Sequence, residues 1–249
     1  MPARSRLRLF DDRSPYVDHF GALLALTGIT LVTLSLTGLA RPGAGRAGLL
    51  STALTTVIVG LTLLLALRAS GVARFWLRAA DVLIGLMVLL AVLGLAVSAV
   101  VPETEIEVTL APDLWVVFSV LAPVVVVRRL LRHREVTMRT LQGAISAYLL
   151  IPVAFQFVFL TADEALPGGF FGSARSTTSF MYFSLTTVTT VGYGDLAPAS
   201  DVGRLLATVE ALIGQVFLVT FVALLVGLLG ERWRVGRSTA EDHEDAEGR

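Results

Sequence analysis

Between Thr186 and Pro198 the chain reads TTVTTVGYGDLAP, with two glycines around a tyrosine, four threonines and one aspartate set in an otherwise apolar sequence. Glycine tolerates positive φ. Glycines at 192 and 194 therefore permit alternating left- and right-handed residues, which turns successive carbonyls toward one side. A row of such carbonyl oxygens, with the Thr190 hydroxyl, can replace the water around a dehydrated cation. Asp195 follows directly and adds a cation-attracting charge at one end of the row. A second polar oddity is Glu210, inside the apolar run Leu205–Gly230. Acids at such depth are costly and are usually functional or paired. Glu210 reads either as a brace hydrogen-bonded to Thr186 or Thr187 or as a direct ion site. There is no nucleophile–base pair, phosphate loop or metal-ligand cluster, so no enzyme activity is expected. With no cysteine, disulfides and thiolate metal sites are excluded.

The elements that must hold this segment are apolar. Of 249 residues, 55% are hydrophobic and mean hydropathy is +0.76, above the roughly 45–50% apolar usage of soluble domains. Phe20–Ala40, Ala47–Leu67, Val82–Pro102 and Leu141–Ala162 each approach the ~20 residues that a spanning helix needs. Leu205–Gly230 is longer, while Leu114–Val127 is short and contains Pro123. By length alone that short run could be interfacial or re-entrant.

Arginine placement gives the orientation. Arg4, Arg6, Arg8 and Arg13 precede the first run, Arg68, Arg74 and Arg78 follow the second, and Arg128, Arg129, Arg132, Arg134 and Arg139 follow the fourth. Arg232, Arg234 and Arg237 come after the last. The loop between the third and fourth runs is instead acidic, with Glu103, Glu105 and Glu107. Six spans with both termini cytoplasmic fit this pattern if Leu114–Val127 crosses; Arg41 and Arg46 on the outer side are the exception. The end of the first run, Gly38-Leu39-Ala40, resembles a cleavage site, but the run exceeds a signal's 7–15 apolar residues, so an uncleaved anchor is expected. Residues 1–134 are read as a cytoplasmic N-terminus and four peripheral spans, 135–236 as the region holding the polar segment, and 237–249 as a disordered acidic tail.

Ser176–Thr187 is about three helical turns, too short to cross a bilayer, and Ser176 is placed to cap it. Lying between two full spans, it should dip into the membrane and return. Irregular backbone at membrane depth is tolerated only when buried in protein or lining water. The returning strand Thr190–Gly194 is therefore expected to line an aqueous path, with the short helix aiming its partly negative C-terminal end at it.

On these residues a family resemblance appears. Thr189-Thr190-Val191-Gly192-Tyr193-Gly194-Asp195 resembles the potassium-channel selectivity filter, built in that family from four loops of carbonyls. The likeness extends through Asp195-Leu196-x-Pro198 and Gly203-Arg204-Leu205, which resemble the start of that family's inner helix. It covers roughly Ser176–Leu229, with Leu141–Ala162 as the matching outer helix. Glu210-Ala211-Leu212-Ile213-Gly214-Gln215 is similar, more loosely, to bacterial single-pore channels.

The resemblance implies an all-α integral membrane protein of six transmembrane helices, with a re-entrant pore helix and filter loop between the fifth and sixth. Its outer helix must begin in the cytoplasm, which also requires Leu114–Val127 to cross. One filter per chain implies a homotetramer in the cell membrane, with K⁺ as permeant ion at Thr190, Val191, Gly192 and Tyr193, no cofactor and no nucleic-acid partner. Thr186, Thr187, Thr189, Asp195 and Glu210 become filter support and outer mouth. Gly214 falls where the family often has a hinge glycine, with close packing the equal alternative. Gln215 would face the cavity or bond a neighbouring helix.

Departures from the family pattern carry their own expectations. Phe183 cannot donate the hydrogen bond that tryptophan often supplies there, so Tyr193 is expected to bond Thr187 or Tyr182. Thr186 stands where several members have a glutamate, which leaves Asp195 without that partner. A voltage sensor needs arginines every third residue inside the field, each worth ~2.3 kcal/mol per 100 mV. Leu114–Val127 has none, and positive-inside bias accounts for Arg128, Arg129 and Arg132. Asp81 resembles an acid of voltage sensors, yet no acid in the second run joins it. The stretch after the last run is expected to hold no ligand-binding module, and His133 and His243 are expected to be bystanders. The expected function is passive, potassium-selective flux without strong voltage gating. The alternatives are a voltage-gated potassium channel and a non-conducting regulatory subunit with a pore fold.

Overall fold

The computed structural model describes residues 19–37, 46–72, 74–100, 112–132, 137–221 and 223. Their regular elements are helices: α1 Phe20–Thr37, α2 Arg46–Ala69, α3 Arg74–Val100, α4 Pro112–Leu130, α5 Met138–Ala165 and α6 Thr177–Val188, then α7 Asp201–Phe221. Among the described residues, α5 and α7 are long and apolar enough to cross a membrane. The arginines before α1, Gly38-Leu39-Ala40, the loop with Glu103, Glu105 and Glu107, His133, and everything from residue 224 onward, acidic tail included, lie outside the described residues.

Helices α2, α4 and α5 extend past their apolar runs at both ends, and α3 starts well before its own. The third run was expected from Val82, but α3 starts at Arg74. Arginine, leucine and alanine are good helix formers, and the polar lead-in is anchored where Arg68 of α2 meets Asp81 at 2.7 Å. Asp81 thus pairs across the tight α2–α3 turn. The short run Leu114–Val127 gains Pro112 and Asp113 before it and Arg128–Leu130 after it, giving 19 residues, or about 28 Å of helix. Proline in the first turn costs no hydrogen bond.

Side-chain contacts fix the helix directions. Gly60 of α2 packs on Ile84 of α3 and Trp115 of α4, and Leu67 of α2 shares a cluster with Val125 of α4. α2 and α4 therefore run the same way. Trp115 at the start of α4 stacks on Phe157 late in α5 at 5.9 Å, while Gly143 early in α5 abuts both Leu130 at the end of α4 and Phe20 at the start of α1. α5 is antiparallel to α4 and parallel to α1. The five helices thus form an up-down-up-down-up series.

Threonines between α1 and α2 are satisfied locally. Hydroxyls of Thr27, Thr30 and Thr62 donate to carbonyls one turn back, and Thr30 and Thr62 meet each other at 2.5 Å between α1 and α2. Such interhelical hydroxyl bonds hold helices together where no hydrophobic force can. One core cluster runs through Phe20, Leu34, Met87, Trp115, Val126, Leu150, Phe157 and Met181. It joins α1, α3 and α4 to α5 and α6 across residue 134. The physical reason is that α1 lies directly against α5 and α6, covering the back of the short helix.

Candidate functional site

α6 covers Thr177–Val188, one residue later at each end than the sequence suggests, and Ser176 makes no side-chain cap bond. Its hydroxyl meets Ser179 Oγ at 3.2 Å instead. Beyond α6 the backbone alternates in hand: φ is +60° at Thr190, +52° at Gly192 and +80° at Gly194. The two glycines tolerate this without penalty. Thr190 carries a β-branched side chain at positive φ, a conformation that persists only where surroundings impose it. The amide of Thr190 bonds Thr187 O at 3.0 Å and that of Gly192 bonds Thr186 O at 3.1 Å, so the end of α6 imposes the turn. Thr189, Thr190, Val191, Gly192, Tyr193, Gly194 and Asp195 are all exposed in the single chain, Tyr193 to 70%.

Two of the threonines expected as supports, Thr186 and Thr189, are turned onto their own helix. Thr186 Oγ1 donates to Phe183 O at 3.0 Å and Thr189 Oγ1 to Leu185 O at 2.6 Å. Glu210 is fully buried, but it receives its hydrogen bond from Ser184 rather than from Thr186 or Thr187. The cause is register. Gly214, one turn beyond Glu210, lies so close to α6 that a Cβ there would sit 2.6 Å from Val188 Cγ2 and 2.9 Å from Val188 O. That contact brings Glu210 level with Ser184, one turn before Val188.

The opposite flank has the same spacing. Ser184 Oγ also lies 3.0 Å from Pro152 O, sharing its one proton between that carbonyl and Glu210, and Tyr148 on α5 donates its hydroxyl to Val188 O at 3.3 Å. Each helix thus supplies a pair of residues four apart, which share a face: Tyr148 and Pro152 of α5, Ser184 and Val188 of α6, Glu210 and Gly214 of α7. These pairings make α6 antiparallel to α5 and parallel to α7. Residues 189–200 must therefore return along α6 before α7 can begin. Gln215, next to Gly214, is exposed on α7.

The return is held at its far end. Tyr182 donates to Asp195 Oδ1 at 3.1 Å, and its ring lies 3° from parallel with Tyr193 at 6.1 Å. Tyr193 therefore stacks on Tyr182 where a hydrogen bond to Tyr182 or Thr187 was expected, and Asp195 has a phenol for a partner in place of an acid. Phe183 lies in a cluster with Phe159, Phe170 and Phe180, so apolar contact occupies the place of the missing ring nitrogen. Phe170 is set by a tight loop, where its amide bonds Asp163 Oδ1 at 2.6 Å and its carbonyl accepts from Ala199 N at 2.9 Å. Sequence reading missed Tyr148, Asp163, Phe170 and Ser184. The glycine-rich Leu166–Gly172 after an acid was the one available signal for this loop.

Comparison with known proteins bears on the same region. Residues 144–231 match a family described as "Ion channel", a family of channels and not of enzymes. A stretch of 52 residues is 44% identical to two pore potassium channel b of Oryza sativa subsp. japonica, covering 21% of this chain and 15% of that protein. Two pore potassium channel a of the same plant is 40% identical over 55 residues, 22% of this chain and 16% of the relative. The chain thus aligns with under a fifth of either relative's length. The resemblance to potassium channels drawn from the Thr189–Asp195 motif is supported by the family match and by both relatives.

Proposed function

We propose that the chain is one of four identical subunits around a potassium-selective pore in the cell membrane, passing K⁺ passively without strong voltage gating. The observation that carries this reading is the alternation of backbone hand at Thr190, Gly192 and Gly194 in a segment exposed on one side of the chain. Such a backbone presents successive carbonyls as a column, the chemistry that strips water from K⁺. Carbonyls of Thr190, Val191, Gly192 and Tyr193, with the Thr190 hydroxyl, hold the ion, and Gly194 gives the column its last turn.

One chain supplies one such segment, and a pore of this type needs four. The exposed apolar residues of α7, among them Leu205, Leu212, Val216 and Val219, are the surface that the other copies cover. With α5 directed outward, α6 descends from the outer face, the filter climbs back and α7 returns inward. This gives six spans, a re-entrant α6 and cytoplasmic termini. Thr186, Thr187 and Thr189 anchor the base of the filter through α6, and Asp195 with Tyr182 shapes the mouth. Gln215 faces the cavity. Gly214 acts by packing, since Val188 fills the space a hinge would need. The pairing of Asp81 with Arg68 at the α2–α3 turn fits a scaffold role for the first four helices.

Purified protein in a planar bilayer, with KCl on one side and NaCl on the other, tests the reading. The expected reversal potential lies near that for potassium and moves little with voltage history. Steep voltage activation would return the voltage-gated alternative. An assembled tetramer that passes no current under any stimulus would favour a non-conducting subunit.

A further inference from the structure

Behind α6 lie side-chain atoms that are buried yet find no hydrogen-bond partner among the described residues: Gln156 Nε2, Gln156 Oε1 and Glu210 Oε2. Both residues are completely buried, so no second copy of the chain can reach them. A buried amide or carboxylate oxygen left unpaired is strongly unfavourable, more so in an apolar surround.

A fourth such atom, Thr161 Oγ1, lies further along α5, but helix geometry directs those of Gln156 and Glu210 toward each other. Glu210 Oε1 is held by Ser184 Oγ, which also contacts Pro152 O at 3.0 Å. Gln156 follows Pro152 by four residues in α5, so it lies on the same helix face one turn along. A helical side chain leans back toward its own N-terminus, which directs the Gln156 amide toward Pro152 and hence toward the Ser184–Glu210 pair. Polar groups that face each other beyond direct reach are ordinarily joined by water.

We infer that one ordered water binds between Gln156 and Glu210. It donates to Glu210 Oε2 and to Gln156 Oε1 and accepts from Gln156 Nε2. This uses both water hydrogens and satisfies every orphaned atom of the two residues, and three hydrogen bonds is the usual complement of a buried water. The bridge ties α5 to α7 directly, while Ser184 ties both to α6. The water-bound carboxylate then fixes the register of α7 against the helix from which the filter springs. Gln156 becomes a support for the filter that no sequence motif marks.

Thermal unfolding of the purified full-length protein tests the bridge through a double-mutant cycle. Gln156→Leu should lower the midpoint by about 4 °C, and Glu210→Leu should lower it too. In the Glu210→Leu background, Gln156→Leu should cost nothing or raise the midpoint, because the water has already lost its anchor. Glu210→Gln, which can still bind the water, should restore the penalty of Gln156→Leu. Equal shifts in all backgrounds overturn the inference. Should the leucine variants fail to fold, a cryo-EM map fine enough to show ordered water decides. Density between Gln156 and Glu210 supports the bridge, and a direct bond between them without density overturns it. Neither readout depends on conduction, so failure here leaves the channel reading standing, and loss of that reading leaves this one testable.

Discussion

α5 and α7 are both long apolar helices, yet the most apolar stretch of α5 is 67% buried within the chain and that of α7 only 17%. α5 finds partners all around. Leu150 and Val153 are sealed among α1, α4 and α6, and Pro152 and Tyr148 reach α6. α7 buries one narrow stripe, Gly203, Glu210 and Gly214, and leaves Leu212 60% and Val216 63% exposed. Residues 189–195 are likewise exposed in the single chain. Similar composition therefore has two outcomes: α5 is the post against which α1, α4 and α6 pack, and α7 leaves most of its apolar surface uncovered by its own chain.

That contrast breaks most visibly when a charge is placed on each helix. Leu150→Arg on α5 should prevent folding of the subunit, because an unpaired buried charge costs upward of about 3–5 kcal/mol. Leu212→Arg on α7 should leave a folded, protease-resistant chain that no longer forms tetramers on native gels. If Leu212→Arg assembles normally, α7 is not the interface.

Smaller changes sharpen the comparison along the stripe that α7 does bury. Gly214→Ala inserts a methyl against Val188 and should destabilise by about 1–3 kcal/mol, with a filter more prone to inactivate in sustained current recordings. A purely faster opening with unchanged stability would favour a hinge at Gly214. At the mouth, Tyr182→Phe removes the bond to Asp195 and should have a smaller effect, read as faster loss of current with the fold intact. Far from α7, Asp81→Asn breaks a half-exposed ion pair and should shift stability by about 0–1 kcal/mol with voltage dependence unaltered. A large change in voltage response would mean that the pair moves in the field.

The turn at Thr190–Gly194 was legible because its backbone chemistry is local. Glycines at 192 and 194 announce positive φ by residue type alone, and the backbone adopts it there, with Thr190 joining in because α6 holds its amide. Helix positions were also legible, since apolar runs are long and charges mark their ends. The misjudged limits at Arg74 and Pro112 have one cause: charged and proline residues can belong to a helix when a partner or the first turn accommodates them. Glu210 was recognisable as anomalous because an acid in an apolar run needs a reason. Its partner was not recognisable, because Ser184, Thr186 and Thr187 differ only in which face of α6 they occupy.

Residue types alone therefore settled where the chain is apolar, where it can turn left-handed and where a charge is out of place, since each depends on one side chain and its solvent. The contacts among Tyr148 and Pro152, Ser184 and Val188, and Glu210 and Gly214 depend on how three helices slide and rotate against one another. So does the stacking of Tyr182 on Tyr193 and the seating of Phe170 beneath Ala199. Those degrees of freedom are fixed by packing among residues far apart in the chain, at tolerances of a few tenths of an ångström around Gly214. Only the folded arrangement decides them.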